Sequence, residues 1–109
     1  AILGILQGEK KILMETLVIS ENCFLEKKKM ADINFTKRKL TLVGVISANK
    51  THQKRRNRYK VKDQHFYFNP ESHFELQAED MIVVLGRKDS IEHLQDQIEK
   101  SKLSARKRR

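Results

Sequence analysis

Met81-Ile-Val-Val-Leu-Gly86-Arg-Lys-Asp89-Ser-Ile91-Glu-His-Leu94-Gln-Asp-Gln-Ile98 is the stretch that decides the fold. Residues 81–85 are apolar without interruption and stop at Gly86, which reads as a buried strand. Asp89 then offers a helix cap, with Glu92 three residues on, and Ile91, Leu94 and Ile98 recur at the 3,4 spacing of one buried helical face. A strand followed at once by an amphipathic helix places that helix against the sheet to which the strand belongs.

Working outward, residues 39–48 alternate Leu40, Leu42, Gly44 and Ile46 with Thr41, Val43, Val45 and Ser47, the pattern of a central strand. Residues 12–20 are apolar and β-branched and end in the turn-prone Ser20-Glu21-Asn22, a further strand. His65-Phe66-Tyr67-Phe68 is a short aromatic strand stopped by Asn69-Pro70, because proline neither donates to a ladder nor lets its predecessor go helical. Between Leu25 and Ile33 charged residues leave Met30 and Ile33 on one face, which predicts a short helix or turn. Residues 48–62 are polar and basic without periodicity and read as an exposed loop or hairpin connection.

The expected fold is α+β: a small mixed, mostly antiparallel sheet with a short helix, and a C-terminal helix packed on one face. Apolar residues outside the sheet are few, so a second copy is the expected cover for the other face, in a symmetric dimer. Three segments follow. Residues 1–11 read as the end of a preceding linker or helix, with Gly8 as its C′ glycine, 12–101 as the domain, and 102–109 as a basic, disordered tail. The apolar start, without Met or a basic leader, reads as the cut end of a larger polypeptide.

Composition narrows the function. A chain of 109 residues with 39% hydrophobic content supports one modest core. Cys23 is alone, which excludes an internal disulfide and a thiolate zinc site and suits a reducing compartment. No apolar run approaches the roughly 18–20 residues needed to span a bilayer. Lys54, Arg55, Arg56, Arg58 and Lys60, with the four basic residues 106–109, equal the whole net charge of +9. The charge therefore sits in two patches rather than over the surface.

Chemistry-bearing motifs are sparse. His52, His65, His73 and His93 are too scattered for a metal-ligand set, and no metal is expected. Asp80, ahead of a strand, reads as a turn-fixing residue that binds backbone amides. There is no Gly-rich phosphate loop, no Gly-x-Ser-x-Gly and no Cys/His pair at telling spacing, so the chain reads as no enzyme.

Two segments resemble the TrkA/RCK C-terminal family of bacterial potassium channel and uptake subunits. The first is Val18-Ile-Ser-Glu-Asn-Cys-Phe-Leu25 leading into Lys28, Met30, Asp32 and Ile33, where Lys27 stands at a position usually held by glycine. The second runs from Phe68-Asn-Pro-Glu-Ser-His-Phe-Glu-Leu76 through Ala78-Glu-Asp-Met-Ile-Val-Val-Leu-Gly86, similar to the family's Gly-Asp-x-Leu-x-Val-x-Gly ending, with Glu79 in place of the glycine before Asp80. With the strand at 40–48, the resemblance covers most of residues 12–99. It implies a dimerising, ligand-sensing regulatory domain on the cytoplasmic side of the inner membrane. Its partners would be a nucleotide-binding-type domain and a channel pore, with no membrane span of its own. Some members bind cyclic di-AMP or another small ligand at the dimer interface, and the residues expected to bind such a ligand here are Arg55, Arg58, His65, Asn69 and Pro70, which flank the short strand and turn that resemble the family's ligand-bearing region. A different class of function, a small basic nucleic-acid-binding module, is suggested by the pI of about 9.9. The basic residues avoid every predicted strand, which speaks against it.

Overall fold

The computed structural model describes residues 3–4, 11–48, 58–61 and 64–107, with side chains for 11–48 and 64–103. The strands are β1 (Leu3–Gly4), β2 (Leu13–Val18), β3 (Leu40–Ser47), β4 (Arg58–Val61), β5 (Gln64–Phe68) and β6 (Met81–Gly86), followed by helix α1 (Lys88–Lys107). They form one sheet in the order β1-β2-β6-β3-β5-β4, four longer strands flanked by the short β1 and β4. Every ladder among the described residues is antiparallel, which corrects the expectation of a mixed sheet. The reason is topological. β2 and β3 run the same way, but β6 lies between them and pairs with both.

The last strand and helix follow their periodicity. Ile82 and Val84 are buried from β6, and Ile91, Leu94 and Ile98 from α1. Burying each such side chain contributes about 1.5–3 kcal/mol. The helix begins at Lys88, where the Ile91 amide donates to the Arg87 carbonyl, so Asp89 lies inside the first turn and is not the cap. Its carboxylate accepts from the Ser90 amide and still favours the positive end of the helix dipole. Helix α1 continues to Lys107, which corrects the expectation of a disordered tail from 102 onward; residues 108 and 109 lie outside the described set.

β3 breaks the predicted alternation. Leu42 pairs with Val84 and Gly44 with Val83, so Val43 is an extra residue, a β-bulge. Leu40 faces the covered side before the bulge, and Val45 and Ser47 face it afterward. The bulge carbonyl of Val43 accepts from the Asn69 amide, which fastens the end of β5 to β3. Residues 58–61, expected in a loop or hairpin connection, form the edge strand β4; residues 49–57 and 62–63 of that segment lie outside the described set. Leu3–Gly4, expected in the end of a preceding linker or helix, pairs with β2.

Between β2 and β3 the expected short helix or turn is a single 3-10 turn, Met30–Asp32. The backbone there is paired elsewhere: the Lys27, Met30 and Ala31 amides donate to the Leu76, Phe74 and Ser72 carbonyls, and the Leu76 amide donates back to Lys28. These bonds replace the i→i−4 bonds that a helix needs. The two crossed segments carry Cys23, Leu25, Phe74 and Leu76 into the core beside Tyr67, and α1 covers the rest of the same face. The opposite face of the sheet has no described element over it.

Candidate functional site

The left-handed residues mark the turns that shape the molecule. Lys28 N–H donates to the Leu25 carbonyl with Lys27 at φ 67°, and Asp80 N–H donates to the Gln77 carbonyl with Glu79 at φ 75°. A positive φ at the third position of such a four-residue turn is the type II arrangement, which favours glycine there. Neither residue is glycine. Both are the positions at which the chain departs from the TrkA/RCK pattern, and both keep the backbone geometry that a glycine would take.

Behind the second turn is a buried polar pair that sequence reasoning missed. The Ser47 hydroxyl donates to Asp80 Oδ1 at 2.6 Å, and the Gln77 amide donates to Asp80 Oδ2 at 2.9 Å. Asp80 does fix its turn through a backbone amide, as the sequence suggests, and it also ties that turn to the end of β3. The two partners are 33 residues apart in sequence, so no local signal joins them.

His65 is opposite Ser47 across the β3–β5 ladder. Its Nδ1 is buried and has no hydrogen-bond partner among the described residues. A buried polar nitrogen left without a partner costs about 1–3 kcal/mol, and a bound group that supplied a partner would recover part of that. The ring stands 6.3 Å from Tyr67, itself 5.1 Å from Phe74 in the core.

The β4–β5 ladder places Arg58 opposite Tyr67 and Lys60 opposite His65. Arg58 and His65 are thus on neighbouring strands but are not paired, being offset by two residues, or about 7 Å along the strand. Asn69, at φ 47°, and half-buried Pro70 follow β5 at the Tyr67 end. The structure therefore gathers Arg58, Asn69 and Pro70 around the end of β5 and sets His65 further along it. Arg55 lies outside the described residues. Lys60, named in the sequence as part of the basic patch but not among the candidate ligand residues, is the position that the register sets opposite His65. These are side-by-side backbone positions on a hairpin and the turn after it, with one unpartnered nitrogen, and they suit recognition of a polar or anionic ligand.

Elsewhere, a groove of about 770 Å³ separates the 32–39 loop from the start of α1, lined by Asp32, Lys37, Arg38, Asp89, His93 and Gln97 among others. Its cations and carboxylates oppose one another, and Arg38 is engaged already, hydrogen-bonded to Gln97 and lying 5.0 Å over the Phe24 ring. Among the described residues, no three His, Cys, Asp or Glu side chains are grouped to hold a metal ion, and no helix is long and apolar enough to cross a membrane. No family model matches the chain, and no curated protein matches its sequence.

Proposed function

We propose that the chain is a TrkA/RCK-C-like regulatory module: a cytoplasmic, ligand-sensing and self-associating domain that contributes to gating of a potassium channel or uptake system. The observation that carries the reading is the pair of type II turns at Lys27 and Glu79. The motif positions occupied by glycine in the family have a glycine-like backbone here, although the side chains differ. Such an agreement does not follow from the identity of Lys or Glu, which avoid positive φ.

In this reading the β4–β5 hairpin and the 69–70 turn receive a nucleotide such as cyclic di-AMP. Arg58 supplies charge to phosphate, Asn69 supplies hydrogen bonds, and His65 Nδ1 gains a partner that it lacks among the described residues. Sensing requires only that two arrangements of the module bind the ligand with different affinity. Titration calorimetry with cyclic di-AMP and with common mononucleotides tests it. Binding that weakens at least tenfold in Arg58→Ala, His65→Ala or Asn69→Ala is the expected result; binding unchanged in all three discards the site.

One observation favours the nucleic-acid reading. Arg58 and Lys60 lie on a strand, beside the aromatic β5, and do not avoid the sheet as the sequence suggests. Oligonucleotide binding that collapses between low and moderate salt, with no nucleotide binding, would select that reading.

A further inference from the structure

Strand β2 is paired along its whole length on one side only. Its ladder with β6 runs from Leu13 to Val18, whereas β1, on the other side, is described opposite Leu13 and Met14 alone. Parity tells which residues face the open edge. Just past β2, the Ile19 amide donates to the Asp80 carbonyl and the Ile19 carbonyl accepts from the Glu79 amide, so Ile19 turns its backbone groups toward the β6 side. Direction alternates along an antiparallel strand, so Thr16 and Val18 turn theirs outward. The Thr16 amide agrees: it donates to Glu15 Oε1 at 3.2 Å, a carboxylate standing where the carbonyl of a neighbouring strand would be. Val18 is 49% exposed and has no described strand beside it. Along the same edge a groove of about 380 Å³ runs between β2 and α1, with Thr16, Leu17 and Val18 on one side and Gln95, Ile98 and Glu99 on the other. Leu17 and Ile98 are buried and give it an apolar base. None of its lining residues is basic, in a chain whose net charge is +9. Neither Glu15 nor Glu99 is in an ion pair among the described residues, and Lys100, beside Glu99, is held by Asp96 at 2.9 Å.

We propose that this edge takes up an extended peptide carrying one apolar and one basic residue, which adds as a strand to β2 and lays its side chains into the β2–α1 groove. Strand addition draws affinity from main-chain hydrogen bonds and specificity from pockets for alternate side chains, and both are present here. The Val18 N–H and C=O and the Thr16 C=O face the incoming strand. The Thr16 N–H joins them when the Glu15 carboxylate turns from it to the cation of the peptide. The peptide runs antiparallel, the sense of every described ladder of the sheet. Its residue opposite Leu17 then shares the α1 side with Leu17 and Ile98, which calls for an apolar side chain. Two residues further toward its C-terminus, on the same side, it faces Glu15, which calls for lysine or arginine. Charge selects the partner, because the groove and the strand beside it offer two unpaired carboxylates that repel an acidic peptide. The edge lies across the sheet from β4, so the site stands whether or not the β4–β5 hairpin binds a nucleotide.

Fluorescence anisotropy of a fluorescein-labelled peptide, Thr-Thr-Val-Thr-Lys, titrated with the chain at about 50 mM NaCl tests it. A saturable rise is expected. Val18→Pro removes an outward N–H without touching the β6 ladder and should weaken binding about tenfold or more. Glu15→Lys should weaken it similarly and should bind a peptide with Glu in place of Lys better than the wild-type chain does. Glu99→Lys, at an exposed position on α1, repeats the charge test should Glu15→Lys not fold. No saturable binding by the wild-type chain up to about 1 mM overturns the proposal, as does binding unchanged in Val18→Pro and in both charge variants. Equal binding of the Glu and Lys peptides refutes the charge selection. Peptide binding that appears only after deletion of residues 1–4 would give the edge to the chain's own N-terminal strand. Self-association abolished by Val18→Pro, without peptide binding, would give it to a second copy.

Discussion

Glycine placed at Lys27 or Glu79 should stabilise the chain or leave it unchanged, which is the reverse of its usual effect. At an ordinary position, glycine costs about 0.5–1 kcal/mol through the extra freedom it gives the unfolded chain. At φ 67° and 75° the Cβ of a non-glycine residue adds about 1–2 kcal/mol of strain, which glycine removes. The difference leaves each substitution between neutral and about 1.5 kcal/mol stabilising. The amides survive the change: Lys27 N–H still reaches the Leu76 carbonyl and Glu79 N–H the Ile19 carbonyl. Lys28→Gly, one residue along at an exposed position without positive φ, is the control and should lose about 0.5–1 kcal/mol. Urea denaturation followed by circular dichroism reads all three. Stabilisation of about 1 kcal/mol moves a thermal midpoint of a domain this size upward by roughly 4–8 °C. Loss of stability in Lys27→Gly and Glu79→Gly equal to that in Lys28→Gly would refute the turn geometry, and with it the observation that carries the family reading.

Other expectations follow from contacts already described. Gly44→Ala should cost about 1–3 kcal/mol in urea unfolding, because its Cβ would lie 2.6 Å from Phe66 Cζ and 2.7 Å from the Tyr67 carbonyl oxygen. Phe66→Ala in the same background should recover only part of that loss, since the backbone oxygen does not move with the ring. Ser47→Ala should cost about 1–3 kcal/mol by removing a donor from the buried Asp80 carboxylate, and the loss should be smaller in an Asp80→Asn background. Leu94→Ala, at the centre of the buried helical face, should cost about 2–5 kcal/mol and lower the thermal midpoint more than any of these.

What could be read from the sequence follows the strength of its periodicity. β6 and α1 were readable because one carries an unbroken apolar run and the other a single buried stripe, each long enough to exclude the other period. β3 was readable as a strand but not in its facing, since the bulge at Val43 swaps which residues point inward, and a bulge leaves no mark on a run of apolar residues. β4 was hidden because an edge strand is held by backbone pairing with β5 and needs no apolar pattern. The turns at Lys27 and Glu79 were hidden by their own residues, as Lys and Glu announce no positive φ. Of the candidate site, the position of Asn69 beside Pro70 was visible locally. The pairing of Lys60 with His65 depends on the hairpin register, and the Ser47–Asp80 bond on neighbouring strands that are far apart in sequence.

The most direct test of the sensing role is the thermal midpoint of the chain against increasing cyclic di-AMP and other nucleotides, in wild type and Asn69→Ala. A ligand that binds only the folded chain adds about 2.7 kcal/mol at a hundred times its Kd. A saturable rise of several degrees with one nucleotide, diminished in Asn69→Ala, is the result expected of a sensor. A midpoint indifferent to every nucleotide at millimolar concentration would contradict it.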